Sequence, residues 1–137
     1  PLKLKNDVVT RWNSTYYMFQ RICDIREAVE AALGWLHNPV ETLTAEEWVI
    51  LRELCAIFKP FDQITVELSK EKDITLSNVI VMARGLINAL NRLRSVLKRE
   101  ISLTFLEEML ASLTDRFHQI QYHPVFSRAT FLDPRFK

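Results

Sequence analysis

The sequence predicts an all-α fold, an irregular bundle of about four amphipathic helices that is a fragment of a larger protein. Apolar residues recur every three to four positions over long stretches, whereas the alternation typical of strands is absent over any long window. Glycine occurs only twice in 137 residues. Apolar residues make up 48% and charged residues 26%, which indicates a globular chain with a core. Because the chain opens on Pro1 and not on methionine, we expect it to be a piece of a longer protein.

The first predicted helix spans about residues 14–33 and follows an extended lead-in, residues 1–13. We expect Asn13 or Ser14 to cap it, because a side-chain oxygen at that position can accept a backbone N–H that has no partner within the helix. Gly34 is expected to end the helix in the left-handed conformation, which glycine adopts without steric cost. A connector with an Asn-Pro pair follows.

The second predicted helix spans about residues 44–68. Thr44 and Glu47 have the spacing of a capping box, in which each side chain bonds the backbone N–H of the other. Pro60 lies inside the apolar pattern of this helix. Because proline removes one hydrogen bond and clashes with the preceding turn, we expect a kink or a short break near it.

The third and fourth predicted helices span about residues 77–99 and 102–121, and the bundle as a whole spans 14–122. A charged turn precedes the third helix, and Pro124 stops or follows the fourth. The C-terminal tail, residues 123–137, is expected to be extended or to form a single helical turn, and to lead to the next part of the parent protein. Asp133 precedes a proline and is expected to cap a turn there.

No motif in the sequence assembles a catalytic or metal site. A glycine-rich phosphate loop, H-E-x-x-H and G-x-S-x-G are all absent from the sequence. We interpret Cys23 and Cys55 as buried free thiols, and the three histidines, His37, His118 and His123, as surface or helix-end residues. We therefore expect no cofactor and no small-molecule substrate in this segment. No apolar run approaches the ~20 residues that would span a bilayer, so we expect no membrane partner.

Five basic residues, and no acidic one, lie between residues 74 and 99: Arg84, Arg92, Arg94, Lys98 and Arg99. On one continuous helix they would spread over the side opposite the leucine stripe. They could form a solvated face whose last cations complement the helix dipole. They could instead form a ridge that contacts DNA phosphates, or pair with acids of a neighbouring helix.

Three segments resemble the hAT superfamily of transposases, which includes the domesticated BED-zinc-finger proteins derived from them. They are "DVVTRWNSTYYMFQRI" near the start, "FKPFDQITVELSKEKDITLSNVI" in the middle and "ATFLDPRFK" at the end. The three appear in the order of the family and span most of the chain. Val81 departs from the pattern, because many relatives carry proline there.

The resemblance implies a place for this chain within its parent protein. In the family, a helical insertion interrupts an RNase H-like catalytic core, and the catalytic acids lie outside it. The chain matches this insertion and would carry none of them, so it would not be an enzyme alone. A zinc-binding BED finger would precede it, and a dimerisation region would follow it. The parent would be nuclear, would bind DNA and a divalent metal, and would form a homo-oligomer.

The resemblance also gives Arg11 and Trp12 a candidate role. They match the Arg-Trp motif of the family, whose tryptophan is associated with stacking on a base flipped out at the transposon end. The alternative is that Trp12 packs beneath the helix as a hydrophobic staple just before the cap. We expect Tyr17 to face the core and Tyr16 to lie at its edge.

Two functions therefore fit the sequence. The first is a helical segment of a hAT-type transposase or a domesticated derivative, which scaffolds the catalytic core and helps to hold transposon-end DNA. The second is a non-catalytic interaction or self-association module of a transposase-derived transcription regulator. A helical bundle unrelated to DNA is the third interpretation.

Overall fold

The computed structural model describes residues 3–35, 40–69 and 76–136. Within these ranges the chain forms six α-helices and contains no strand, which confirms the predicted all-α class. The chain divides into two compact units, Pro1–Lys59 and Pro60–Lys137. The charged turn expected at residues 69–75 lies almost entirely outside the described residues.

Unit 1 contains two helices where the sequence predicts one. Helix α1 spans Trp12–Asp24 and helix α2 spans Arg26–Gly34. Between them Ile25 leaves the helical region, with φ −115° and ψ 26°. Its N–H still bonds the Arg21 carbonyl at 3.2 Å, and its own carbonyl accepts the Val29 N–H at 3.0 Å. The hydrogen-bond ladder therefore crosses the break, where the sequence has neither glycine nor proline.

The expected caps of the first helix are wrong at both ends. Helix α1 begins at Trp12, and its N-cap residue is Arg11, whose backbone is extended. The Ser14 hydroxyl bonds the preceding segment instead, where its oxygen accepts the Val8 N–H at 2.8 Å. At the other end Gly34 is still helical, and no described glycine has a positive φ.

Helix α3 spans Ala45–Leu68 and has the predicted capping box at its start. The Thr44 N–H donates to the Glu47 carboxylate at 2.7 Å, and the Glu47 N–H donates to the Thr44 hydroxyl at 3.2 Å. The helix continues through Pro60, so the short break does not occur. Proline has no N–H to offer the carbonyl of Ala56, and the helix passes over this one missing bond.

The buried side chains of unit 1 include Tyr16, Trp48 and Ile57. The expectation that Tyr17 faces the core and Tyr16 its edge is wrong. Tyr17 is half-buried, and the Lys5 ammonium lies 5.0 Å from its ring centre, so the lead-in segment partly covers this side of α1. Tyr16 is the residue that points inward.

Among its described residues, unit 2 contains the last turns of α3, three further helices and three short 3-10 turns. The helices are α4, Val79–Leu93; α5, Glu100–Phe117; and α6, Pro124–Leu132. The 3-10 turns are Leu76–Asn78, Ile120–Tyr122 and Pro134–Phe136. The tail is therefore more helical than expected, because Pro124 starts a helix at a first-turn position where its missing N–H costs nothing.

The third predicted helix ends six residues early, at Leu93. The chain then turns, with the Val96 N–H bonded to the Leu93 carbonyl at 2.9 Å, and Arg99 is extended before α5. Leu97 is nevertheless buried. Its place in the apolar stripe predicted burial correctly, but this burial is achieved by a turn and not by a helix.

Helix α4 packs against α5, and their inward-facing side chains form the core of unit 2. The buried apolar residues here are Ile80, Ala83, Leu86, Leu90, Leu97, Leu106, Leu110 and Leu113. The most enclosed of them are Leu90 and Leu106. Helix α6 packs against the turn Leu76–Asn78 that precedes α4.

Candidate nucleic-acid interface

Arg11 and Trp12 lie at the exposed start of helix α1. Arg11 is extended, and its N–H bonds the Val8 carbonyl at 2.7 Å. Trp12 is the first helical residue, and 46% of its surface is exposed. A hydrophobic staple requires a residue before the N-cap. Because Trp12 follows the N-cap residue Arg11, the predicted staple arrangement is absent.

A hydrogen-bonded turn holds this pair in place. Asp7 accepts the Ser14 hydroxyl at 2.5 Å and the Thr15 hydroxyl at 3.0 Å. These bonds hold the pKa of Asp7 below its ordinary value. The Arg11 carbonyl accepts the Ser14 N–H at 3.0 Å, and so the turn is anchored on both sides of Arg11. The backbone that carries Arg11 and Trp12 is therefore fixed before any ligand binds.

The five basic residues predicted on one helix do not share one. Arg84 and Arg92 lie on α4, whereas Arg94, Lys98 and Arg99 lie between α4 and α5. The side chain of Arg84 donates to Gln121, and Arg92 is exposed. The prediction that one helix carries all five basic residues on a single face is wrong, because α4 ends at Leu93.

Arg94 pairs with an acid of the neighbouring helix. Its Nε and Nη2 each donate to a Glu107 carboxylate oxygen at 2.6 Å. These bonds raise the pKa of Arg94 and lower the pKa of Glu107. Of the alternatives for the basic residues, Arg94 therefore follows the ion-pair one.

The end of unit 2 is fastened to the start of α4 by the C-terminal latch, which comprises Ser77, Thr130, Asp133 and Arg135. Arg135 donates from Nη2 to the Ser77 hydroxyl at 3.2 Å and to Asp133 at 2.7 Å. The Thr130 hydroxyl bonds the Ser77 carbonyl at 2.9 Å. Asp133 accepts the Arg135 N–H at 3.0 Å, which confirms its predicted turn cap. Ser77 is almost completely buried.

The latch makes stability depend on pH. Hydrogen bonds from the Arg135 side chain, and then from Ser77, hold the pKa of Asp133 well below its ordinary value of 3.8. A carboxyl whose pKa is lowered in the folded state contributes its full stabilisation at a pH above its ordinary pKa. This stabilisation is lost as the pH falls through the pKa of the folded state. We expect Asp133→Asn to reduce the loss of stability below pH 3.8.

Urea unfolding at roughly pH 6 and pH 2.5 measures this effect. The matched control is Asp115→Asn, an exposed aspartate of the same unit that is not part of the latch. Equal pH dependence in Asp133→Asn and the unmodified chain would contradict the role of Asp133.

The two cysteine side chains interact with each other, but they form no larger cluster with the histidines that the structure describes. Cys23 and Cys55 are free, as predicted, but half-buried, and burial raises the pKa of both thiols, that of Cys55 to about 12. His118 and His123 flank helix ends and are exposed, whereas His37 lies outside the described residues. In residues 3–35, 40–69 and 76–136, no three His, Cys, Asp or Glu side chains group where a metal could bind. None of the helices in these ranges has the length and apolar character needed to cross a bilayer.

Sequence reasoning missed a shallow cavity of about 500 Å³ in unit 2, named here the α5–α6 cavity. Its lining includes Arg116, Gln119, Tyr122, His123 and Phe126. The expectation of a continuous helix to residue 121 hid it, because the cavity forms where α5 ends and the chain turns into α6. The cluster of aromatic residues around Pro124 was the available signal.

The first part of the chain matches a known family of protein domains. Residues 2–57 match the ZBED1 RNase-like helical domain. This match covers Arg11, Trp12 and the helices of unit 1 as far as Ile57. No solved structure gives a significant match to the chain.

Several curated proteins are similar to it. Zinc finger BED domain-containing protein 4 of Homo sapiens is 28% identical over 98% of this chain and 11% of that protein. A putative transcriptional regulator, tpeD, of Talaromyces stipitatus is 32% identical over 72% of this chain and 12% of that protein. Zinc finger BED domain-containing protein 6 of Mus musculus is 33% identical over 66% of this chain and 9% of that protein.

The chain thus spans about a tenth of the length of these relatives. The family match and the BED-zinc-finger relatives agree with the three motifs in the sequence and confirm the predicted resemblance. The chain is related to the domesticated, hAT-type transposase-derived proteins that carry BED zinc fingers.

Proposed function

We propose that this chain is a helical segment of a transposase-derived, DNA-binding protein and that it contacts DNA through Arg11 and Trp12. The observation that carries the proposal is the partly exposed Trp12, which follows the exposed Arg11 in the chain, on a backbone held by the hydrogen bonds of Asp7 and Ser14. An aromatic face can stack on an unpaired base, and a guanidinium can contact the adjoining phosphate.

We propose further properties of the parent protein, which the similarity to BED-zinc-finger relatives supports. It would be nuclear, carry zinc in a BED finger outside this chain, and form a homo-oligomer. If it keeps a catalytic core, the core would use a divalent metal bound outside this chain, and this segment would scaffold it. Arg84, Arg92, Lys98 and Arg99 remain candidates for phosphate contacts; Arg94 is the weakest candidate because Glu107 already engages it.

A second function is favoured by one observation. The name of the Talaromyces relative describes a putative transcriptional regulator. In that function the segment is a non-catalytic interaction or self-association module of a DNA-binding regulator. The two functions differ in whether the parent protein cleaves DNA strands in the presence of Mg²⁺, and both retain the DNA contact proposed for Trp12.

Substitution of Trp12 tests the proposal directly. We expect Trp12→Ala to weaken binding to a DNA duplex with one unpaired base by about 5- to 150-fold, because stacking contributes ~1–3 kcal/mol per base. Fluorescence anisotropy with a labelled duplex measures the affinity. Arg11→Gln should remove about one phosphate contact. The slope of log K against log salt concentration should therefore become less steep.

The matched control is Trp35→Ala, since Trp35 is a second exposed tryptophan of unit 1. It should leave the affinity unchanged, and circular dichroism should show that both variants keep their helices. Equal affinities for Trp12→Ala and the unmodified chain would refute the stacking role of Trp12.

A further inference from the structure

The α5–α6 cavity is built by a short, hydrogen-bonded connection between two helices. The Tyr122 N–H bonds the Gln119 carbonyl at 2.9 Å, and the His123 N–H bonds the Ile120 carbonyl at 3.2 Å. Pro124 then starts α6 immediately. These bonds fix the backbone that carries Gln119, Tyr122 and His123. Their side chains therefore line the cavity from an ordered segment.

Aromatic rings dominate one side of this cavity. The rings of His123 and Phe126 lie with their centres 5.0 Å apart and are tilted by 47°. Tyr122 is 76% exposed, so its ring faces are open to a ligand. Phe117 and Val79 add apolar surface. A flat, partly apolar ligand would replace water on these rings, which is the arrangement that favours ring stacking.

The polar groups of the cavity favour an anionic ligand with hydrogen-bonding edges. Arg116 contributes a guanidinium, and Gln119 offers both an amide donor and an acceptor. Of the lining residues that the structure describes, none is acidic. A nucleotide combines the three properties that these residues recognise, since it has a flat ring, polar ring edges and a phosphate. An acidic peptide would engage Arg116 but would leave the open Tyr122 ring without a stacking partner.

We propose that the α5–α6 cavity binds an unpaired nucleobase of a single DNA strand. The base stacks on Tyr122, Gln119 bonds its edge, and Arg116 contacts the neighbouring phosphate. The volume of about 500 Å³ accommodates one base with its sugar and phosphate. The inference rests on the proposed DNA-binding function for the origin of the strand, but it concerns a second site in unit 2, whose residues differ from Arg11 and Trp12.

A fluorescent base analogue tests this proposal. A short single-stranded oligonucleotide that contains 2-aminopurine is titrated with the whole chain carrying Trp12→Ala, so that Trp12 cannot contribute. We expect binding to quench the 2-aminopurine, since stacking on an aromatic ring quenches it. We expect Tyr122→Ala to weaken this binding about 10-fold, and Tyr122→Phe, which keeps the ring, to preserve it.

Two exposed residues of α6 provide matched controls. Phe131→Ala removes a ring that is 78% exposed and lies outside the cavity lining, and it should leave binding unchanged. Arg116→Gln should lower the salt dependence of binding by about one contact, whereas Arg128→Gln should not. Tyr122 is so exposed that its replacement should not disturb the fold, and circular dichroism checks this.

The outcomes separate this inference from the proposed function. If quenching occurs with Trp12 present but vanishes in Trp12→Ala, the cavity proposal is overturned and the role of Trp12 is supported. If Phe131→Ala weakens binding as much as Tyr122→Ala does, the nucleobase assignment is overturned. It is also overturned if an acidic peptide binds the cavity through Arg116 and the oligonucleotide does not. If Trp12→Ala leaves the affinity for the duplex with an unpaired base unchanged, the proposed role of Trp12 fails. Oligonucleotide binding that depends on Tyr122 would still support the cavity proposal.

Discussion

Replacing Leu106 with alanine is expected to lower the free energy of unfolding of unit 2 by about 2–5 kcal/mol. Leu106 is completely buried on the inner face of α5, in the core that α5 forms with α4. Truncation removes apolar contacts and leaves a cavity that the neighbouring side chains fill only in part. A loss of this size is a large share of the roughly 5–15 kcal/mol that stabilises a typical domain.

Urea denaturation followed by circular dichroism measures the effect. Ile101→Ala is the matched control, because Ile101 lies on the same helix and is 62% exposed. It removes a similar number of apolar atoms from a site that water already reaches, so its cost should be well below that of Leu106→Ala. Equal midpoints for the two variants would contradict the buried position of Leu106.

Replacing Trp48 with alanine is expected to destabilise unit 1 by about 3–5 kcal/mol. Trp48 is 2% exposed near the start of α3, and the Arg26 guanidinium lies 4.8 Å from its ring centre. The substitution removes a large buried ring together with this cation–π contact.

Trp48→Phe should cost much less than its loss of volume suggests. Within the described ranges the buried indole N–H has no hydrogen-bond partner, and a buried donor without a partner is itself destabilising. Phenylalanine removes this donor and keeps an aromatic ring under Arg26. Thermal unfolding of both variants, with the exposed Trp35→Ala as control, measures the difference. If Trp48→Phe costs as much as Trp48→Ala, the unpaired N–H has no influence on stability.

The parts of the fold that depend on residues close together in the sequence could be predicted from it. The Thr44–Glu47 capping box forms between residues three positions apart, so its sequence pattern is sufficient to predict it. The break at Ile25 could not be predicted, because no glycine or proline marks it. Periodicity predicted that Leu97 is buried but could not tell that a turn and not a helix buries it.

The candidate sites show the same limit. Arg11 and Trp12 were found from a local motif, and the structure exposes both residues. The pairing of Arg94 with Glu107 depends on how α5 packs beside the turn after α4, and no local pattern contains this information. The α5–α6 cavity depends on where α5 ends, and apolar periodicity locates helix ends less reliably than helices themselves.

The C-terminal latch has a consequence for the order of folding. It joins Ser77 to Arg135, which lies 58 residues further along the chain, and so connects the middle and last of the three motifs. Closing so long a loop has an entropic cost that must be met before the contact can form. The helices α4 and α5 can pair first, and the latch then closes around them. Weakening the latch should therefore speed unfolding far more than it slows folding, so that the final motif sets how long unit 2 stays folded.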